Sequence, residues 1–126
     1  LWDVCFSPHY LQHILNTIKK KGYQPTGSFD CDDFACLAVN TLDSAYKPML
    51  MGISYKRRNH LSFKGHMICV FQLSDGSYCH MGNWGLYFGY TSLLDIAKDI
   101  ADLRDSDLIG YTLLTKDLSL KQKIFI

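Results

Sequence analysis

An excess of charge of one sign is missing from this chain. Thirteen Lys and Arg stand against twelve Asp and Glu, for a formal net charge of +1. A dedicated nucleic-acid binder normally carries a basic excess, so nucleic acid is not expected as a partner, and nothing in the balance points to an anionic membrane surface. No apolar run is long enough to span a bilayer, and no secretory leader is visible. The cysteines, Cys5, Cys31, Cys36, Cys69 and Cys79, are odd in number and form no C-x-x-C pair. A secreted disulfide framework uses an even count in a core-poor chain. Reduced thiols in a cytosol-like compartment are therefore expected, the host cytoplasm included if the protein comes from a phage or is an effector. Internal repeats, low-complexity tracts and linkers are absent as well.

What is present suits one domain. The 126 residues fall in the commonest domain size, and 48% of them are hydrophobic, enough for a core without covalent staples. A first helix is expected from Ser7 and Pro8 to Gly22, with Leu11, Ile14, Leu15 and Ile18 at helical spacing. A turn-rich loop follows over residues 23–30, then a second helix over 31–46 with Phe34, Leu37, Ala38 and Leu42 as its buried stripe. Residues 48–56 and 65–73 read as strands, the second so apolar from Met67 to Phe71 that both its faces should be buried. Ser74-Asp75-Gly76 signals a hairpin, with 77–82 as the return strand. Residues 82–89 read as irregular. Thr91 or Ser92 should cap a third helix carrying Leu93, Ile96, Ala97, Ile100 and Leu103. A strand at 108–114 follows, and the tail to Ile126 has room for another. Helices first, then an antiparallel sheet with one late helix, spells an α+β fold. Lys56-Arg57-Arg58 and Lys64 read as a solvated loop.

Three positions carry the chemistry. Cys31 stands at the expected start of a helix, where free N–H groups and the positive dipole end favour a thiolate and can hold an oxyanion. Asp30, Asp32 and Asp33 act against the thiolate. His66, at the mouth of an apolar strand, is the residue type that a thiol nucleophile needs as its base. A third group should orient the imidazole through its other nitrogen. Asn83 and His80, both on the return arm of the hairpin, compete for that place.

The run Asp30-Cys31-Asp32-Asp33-Phe34-Ala35 resembles the nucleophile motif of transglutaminase-like cysteine proteinases, and Gly65-His66-Met67-Ile68-Cys69-Val70-Phe71 resembles their histidine strand. Together they cover roughly residues 22–100. The resemblance implies a papain/transglutaminase-like core, with the nucleophile helix packed on an antiparallel sheet and N-terminal helices around it. It also implies a peptidase or amidase working through a thioacyl-enzyme, with a peptide or protein as substrate and no cofactor. Such families place Asp near position 83. Here Asn83-Trp84-Gly85 is similar instead to the Asn and Trp-Gly of papain-like peptidases. Gln24 resembles the oxyanion glutamine of that group, with Tyr23 as an alternative donor and Trp84 beside the substrate. The order Cys31, His66, His80 is also similar to NlpC-type cell-wall amidases, which use Cys-His-His.

Other readings stay open on the residues alone. Trp84, Tyr87, Phe88 and Tyr90 either line a substrate cleft or pack the third helix on the sheet. Cys31, Cys36, Cys79, His66 and His80 are types that bind metal, but Cys31 and Cys36, five apart on a helix, diverge, so no metal is expected. A binding module that keeps the fold without the chemistry is the alternative to an enzyme. The chain starts at Leu1 and is near minimal for such a fold, which leaves room for an accessory protein or flanking segment in substrate recognition.

Overall fold

The computed structural model describes residues 12, 13, 16, 31–82, 85–115, 117 and 119–126, the side chains of 31–33 excepted. Residues 12, 13 and 16 are helical, and Gln12 donates to Asn16 at 3.0 Å. The remainder of the expected first helix, and Gln24 and Tyr23 after it, lie outside the described residues.

Six strands form one antiparallel sheet: β1 (Met49–Arg57), β2 (Phe63–Gln72), β3 (Tyr78–Gly82), β4 (Gly85–Tyr90), β5 (Ser106–Leu114) and β6 (Leu120–Phe125). Their order across the sheet is β4-β3-β2-β1-β5-β6. Two helices of eleven residues accompany it, α1 (Cys31–Thr41) and α2 (Leu93–Leu103).

Side-chain alternation along the strands sorts the core into two halves. Leu50, Cys69, Phe71, Cys79 and Met81 pack with Phe34, Ala35, Ala38 and Val39 of α1 and Leu42 just after it. Met51, Ile53, Ile68, Val70 and Leu113 pack with Ile96, Ala97, Ile100 and Ala101 of α2. The sheet is therefore covered on both faces, which is why residues 68–71 are buried without interruption.

This architecture corrects the expected α+β, papain/transglutaminase-like core. Among the described residues the six-stranded sheet dominates, with α1 on one face and α2 on the other. Two local causes tip the balance. Of residues 82–89, expected to be irregular, 85–89 form most of β4 (Gly85–Tyr90), because Tyr87, Phe88 and Tyr90 are strand formers and β3 offers a free edge. The tail forms β6 against β5. The second helix also stops at Thr41, short of the expected 46. Asn40 and Thr41 bond back to the carbonyls of Cys36 and Leu37 at 2.8 and 2.7 Å. Asp43 then caps a separate 3-10 turn over Ser44–Tyr46, accepting from the Ala45 N–H at 2.8 Å.

The third helix is α2, started by Ser92, whose hydroxyl accepts from the Asp95 N–H at 3.1 Å. The basic cluster is not simply a solvated loop. Lys56 and Arg57 belong to β1, while the Arg58 guanidinium fans onto Asp102, Asp105 and Asp107 at 3.1–3.4 Å. It ties the β1–β2 turn to the α2–β5 turn. Among the described residues no helix is long and apolar enough to cross a membrane.

Candidate functional site

The β2–β3 hairpin brings the two candidate histidines to one face. Asp75 accepts from the Ser77 N–H and hydroxyl at 2.9 and 2.6 Å, and Gly76 takes a positive φ of 88° that suits a residue without Cβ. The register that follows sets His80 opposite Val70 and, across β1, His66 opposite Ile53. Cross-strand partners share a face. Val70 and Ile53 both belong to the core half under α2, so His66 and His80 lie on that side, 9% and 2% exposed.

His80 is surrounded by β4 and α2. Its ring stacks on Tyr87 at 4.8 Å between centroids, and Nε2 is 3.3 Å from the Tyr90 hydroxyl. Tyr90 donates its single proton to Asp99 Oδ2 at 2.6 Å. Its oxygen can then only accept, so His80 carries its proton on Nε2 and a lone pair on Nδ1. Nδ1 is buried and has no hydrogen-bond partner among the described residues.

Burial lowers the His80 pKa to about 4. The Asp99 charge pulls the other way, and the neighbouring His66 adds to the lowering. His80 is thus a neutral imidazole at pH 7. Burial, then the bond to Asp99, holds the Tyr90 phenol well above its ordinary range. A cavity of about 50 Å³ lined by His80, Tyr87, Asp99, Ile100 and Leu103 adjoins the group.

The other candidates fall elsewhere. Cys31 is the first described residue of α1, and its side chain lies outside the description. Asn83 and Trp84 also lie outside the described residues, as do Tyr23 and Gln24. α1 packs on the face opposite the two histidines. Cys79 belongs to the α1 half of the core while its neighbour His80 faces α2, so these two metal-binding types diverge. Among the described residues no group of three or more His, Cys, Asp or Glu could hold a metal ion.

Of the aromatic run, Tyr87 and Tyr90 pack on His80, and Phe88 is 44% exposed. Sequence reasoning did not find Asp99. Its signal is faint: an acidic residue on α2 whose partner is a tyrosine just before the helix cap, nine positions back.

Compared with known protein families and curated proteins, the chain matches no family model and no curated protein.

Proposed function

We propose that this chain is a cysteine-dependent acyl-transfer enzyme, a peptidase or amidase with Cys31 as nucleophile and His66 as base. The observation that supports the reading is that Cys31 lies in the first described turn of α1 (Cys31–Thr41), next to the turn-rich run 23–30 of the sequence. The first N–H groups of a helix have no intrahelical acceptor and form its positive end. They favour a thiolate and supply donors for the oxyanion of a tetrahedral intermediate.

α1 spans roughly 16 Å at the helical rise. Leu42, just after it, shares a core cluster with Phe71, from which His66 is five residues, roughly 17 Å, back along β2, on the opposite face of the sheet.

In this chemistry Cys31 attacks an amide or thioester carbonyl, and His66 takes the thiol proton. The proton passes to the leaving amine, or to the leaving thiolate of a thioester substrate, as the tetrahedral adduct collapses to the acyl-enzyme thioester. Water or an amine then resolves the acyl-enzyme. The third group is Asn83 or His80. A peptide or protein is the substrate class, with recognition completed by an accessory protein or flanking segment.

A non-catalytic binding module is the second reading. One observation favours it: His66 shares a face with α2, whereas the helix that begins at Cys31 covers the other face.

Site-resolved alkylation with limiting iodoacetamide from pH 5 to 9, on the native protein and His66→Ala, separates the two. Labelling of Cys31 at low pH, lost in the variant, is the outcome expected of an activated thiolate. Slow labelling of Cys31 that the variant leaves unchanged supports the binding module.

A further inference from the structure

Far along the sheet from His66, the start of β1, the end of β2 and the start of β3 open into a cavity of about 460 Å³. The volume lies in the range of small-molecule sites. Met49, Val70 and Leu93 line it from the α2 side of the sheet, and Leu42, just after α1, and Phe71 from the α1 side, around the ends of the strands. His66 pairs with Ile53, four residues along β1 from Met49, which separates the two regions by roughly 13 Å.

The rim is cationic. Lys47 and Lys121 line the opening, both exposed, and among the described residues neither makes an ion pair. Among the described residues no carboxylate lines the cavity. The nearest carboxylates in sequence are engaged: Asp43 accepts from the Ala45 N–H, and Asp117 from the Thr115 hydroxyl and the Ser119 N–H. Lys47 is held at the rim by a left-handed backbone (φ 51°, ψ 51°) whose N–H bonds the Ser44 carbonyl.

We propose that this cavity binds an amphipathic carboxylate, a medium-chain fatty acid anion, with its hydrocarbon tail against Met49 and Leu93 and its carboxylate between Lys47 and Lys121. An apolar lining disfavours a small, strongly hydrated anion such as phosphate. Two ammonium groups without a carboxylate partner disfavour an uncharged ligand of the same shape. Charge-assisted hydrogen bonds at the rim supply the selection for the anion. The site is independent of the acyl-transfer chemistry and is tested without it.

The probes are octanoate, octan-1-ol and propionate, read by the Met49 ε-methyl signal in NMR titrations of the whole chain. Octanoate should shift that signal saturably, with octan-1-ol and propionate weaker by about tenfold or more. In the double variant Lys47→Gln/Lys121→Gln, octanoate should weaken by about tenfold while octan-1-ol stays unchanged. Both lysines are exposed, and the methyl spectrum itself reports that the variant is folded. The proposal is overturned if octanoate causes no saturable shift, if octan-1-ol binds as well as octanoate, or if the double variant binds octanoate as tightly as the parent.

Discussion

The Tyr90 hydroxyl donates to Asp99 at 2.6 Å, joining the edge strand β4 to the exposed side of α2. The same oxygen faces His80 Nε2, so one phenol sets both the tautomer of a buried imidazole and the seating of a helix. His80 should accordingly show a single neutral tautomer, protonated at Nε2. Long-range ¹H–¹⁵N spectra of the imidazole read this directly, and an Nδ1–H pattern would contradict the relay.

The lowered His80 pKa makes stability depend on pH. Above about pH 6.5 the histidine is neutral in folded and unfolded chains alike, and it contributes no pH dependence. Between pH 6.5 and about 4 the unfolded chain binds a proton that the folded chain does not, so stability falls as pH falls. From this group alone the loss is at most about 3 kcal/mol, complete near pH 4. Urea titrations from pH 7.5 to 4 measure it. His80→Phe should flatten the dependence in that window.

Removing the Tyr90 hydroxyl leaves the buried His80 Nε2–H without its acceptor. Tyr90→Phe should cost about 1–3 kcal/mol in denaturant unfolding. Asp99→Asn should cost less, because the amide oxygen still accepts from Tyr90 at an exposed position. Equal losses would mean that the Asp99 charge, rather than the His80 bond, carries the effect.

Phe71 is almost fully buried in the α1 half of the core, edge-on to Tyr46 at 5.8 Å. Phe71→Ala should destabilise by about 3–5 kcal/mol. Calorimetry or chemical denaturation gives the value. A loss of less than about 1 kcal/mol would show that α1 is not seated on this face.

At Gly110 the β6 backbone comes so close that a Cβ would collide with the Ile124 carbonyl. Gly110→Ala should detach or shift β6 at a cost of about 1–3 kcal/mol. Amide exchange should quicken along residues 120–125 before it does in β1 and β2.

Two thiols should resist alkylation in the folded chain. Cys69 is fully buried, and burial raises its pKa far above the thiol range. Cys79 is pushed up to about 11, again by burial, with the Gly89 backbone bond partly offsetting it. Mass spectrometry after iodoacetamide at pH 8 should find both unmodified until denaturant is added. Modification of native Cys79 at the rate of a free thiol would mean that the β3–β4 edge opens readily.

Much of the chain's local structure was legible in its residues. The helix that follows Cys31, the Ser92 cap, the β2–β3 hairpin and the two-sided burial of 68–71 all follow from local patterns: turn chemistry, capping and the period of apolar side chains. Those patterns act over a few residues, so one sequence displays them openly. The fold class was not legible in the same way. Whether an aromatic, glycine-containing segment such as 85–90 becomes a strand depends on a free edge of β3 to pair with, a long-range fact that local spelling does not hold. The site divides likewise. Cys and His as reactive types are visible in any sequence. The face on which His66 lies is decided by the register of β1 against β2, and the neutrality of His80 by burial beneath β4 and α2 together with the Tyr90–Asp99 bond. Register and burial arise only when distant segments meet. The sequence by itself therefore determined which groups the protein has and which short elements carry them, whereas tertiary packing decided which of those groups share a face and in which protonation state.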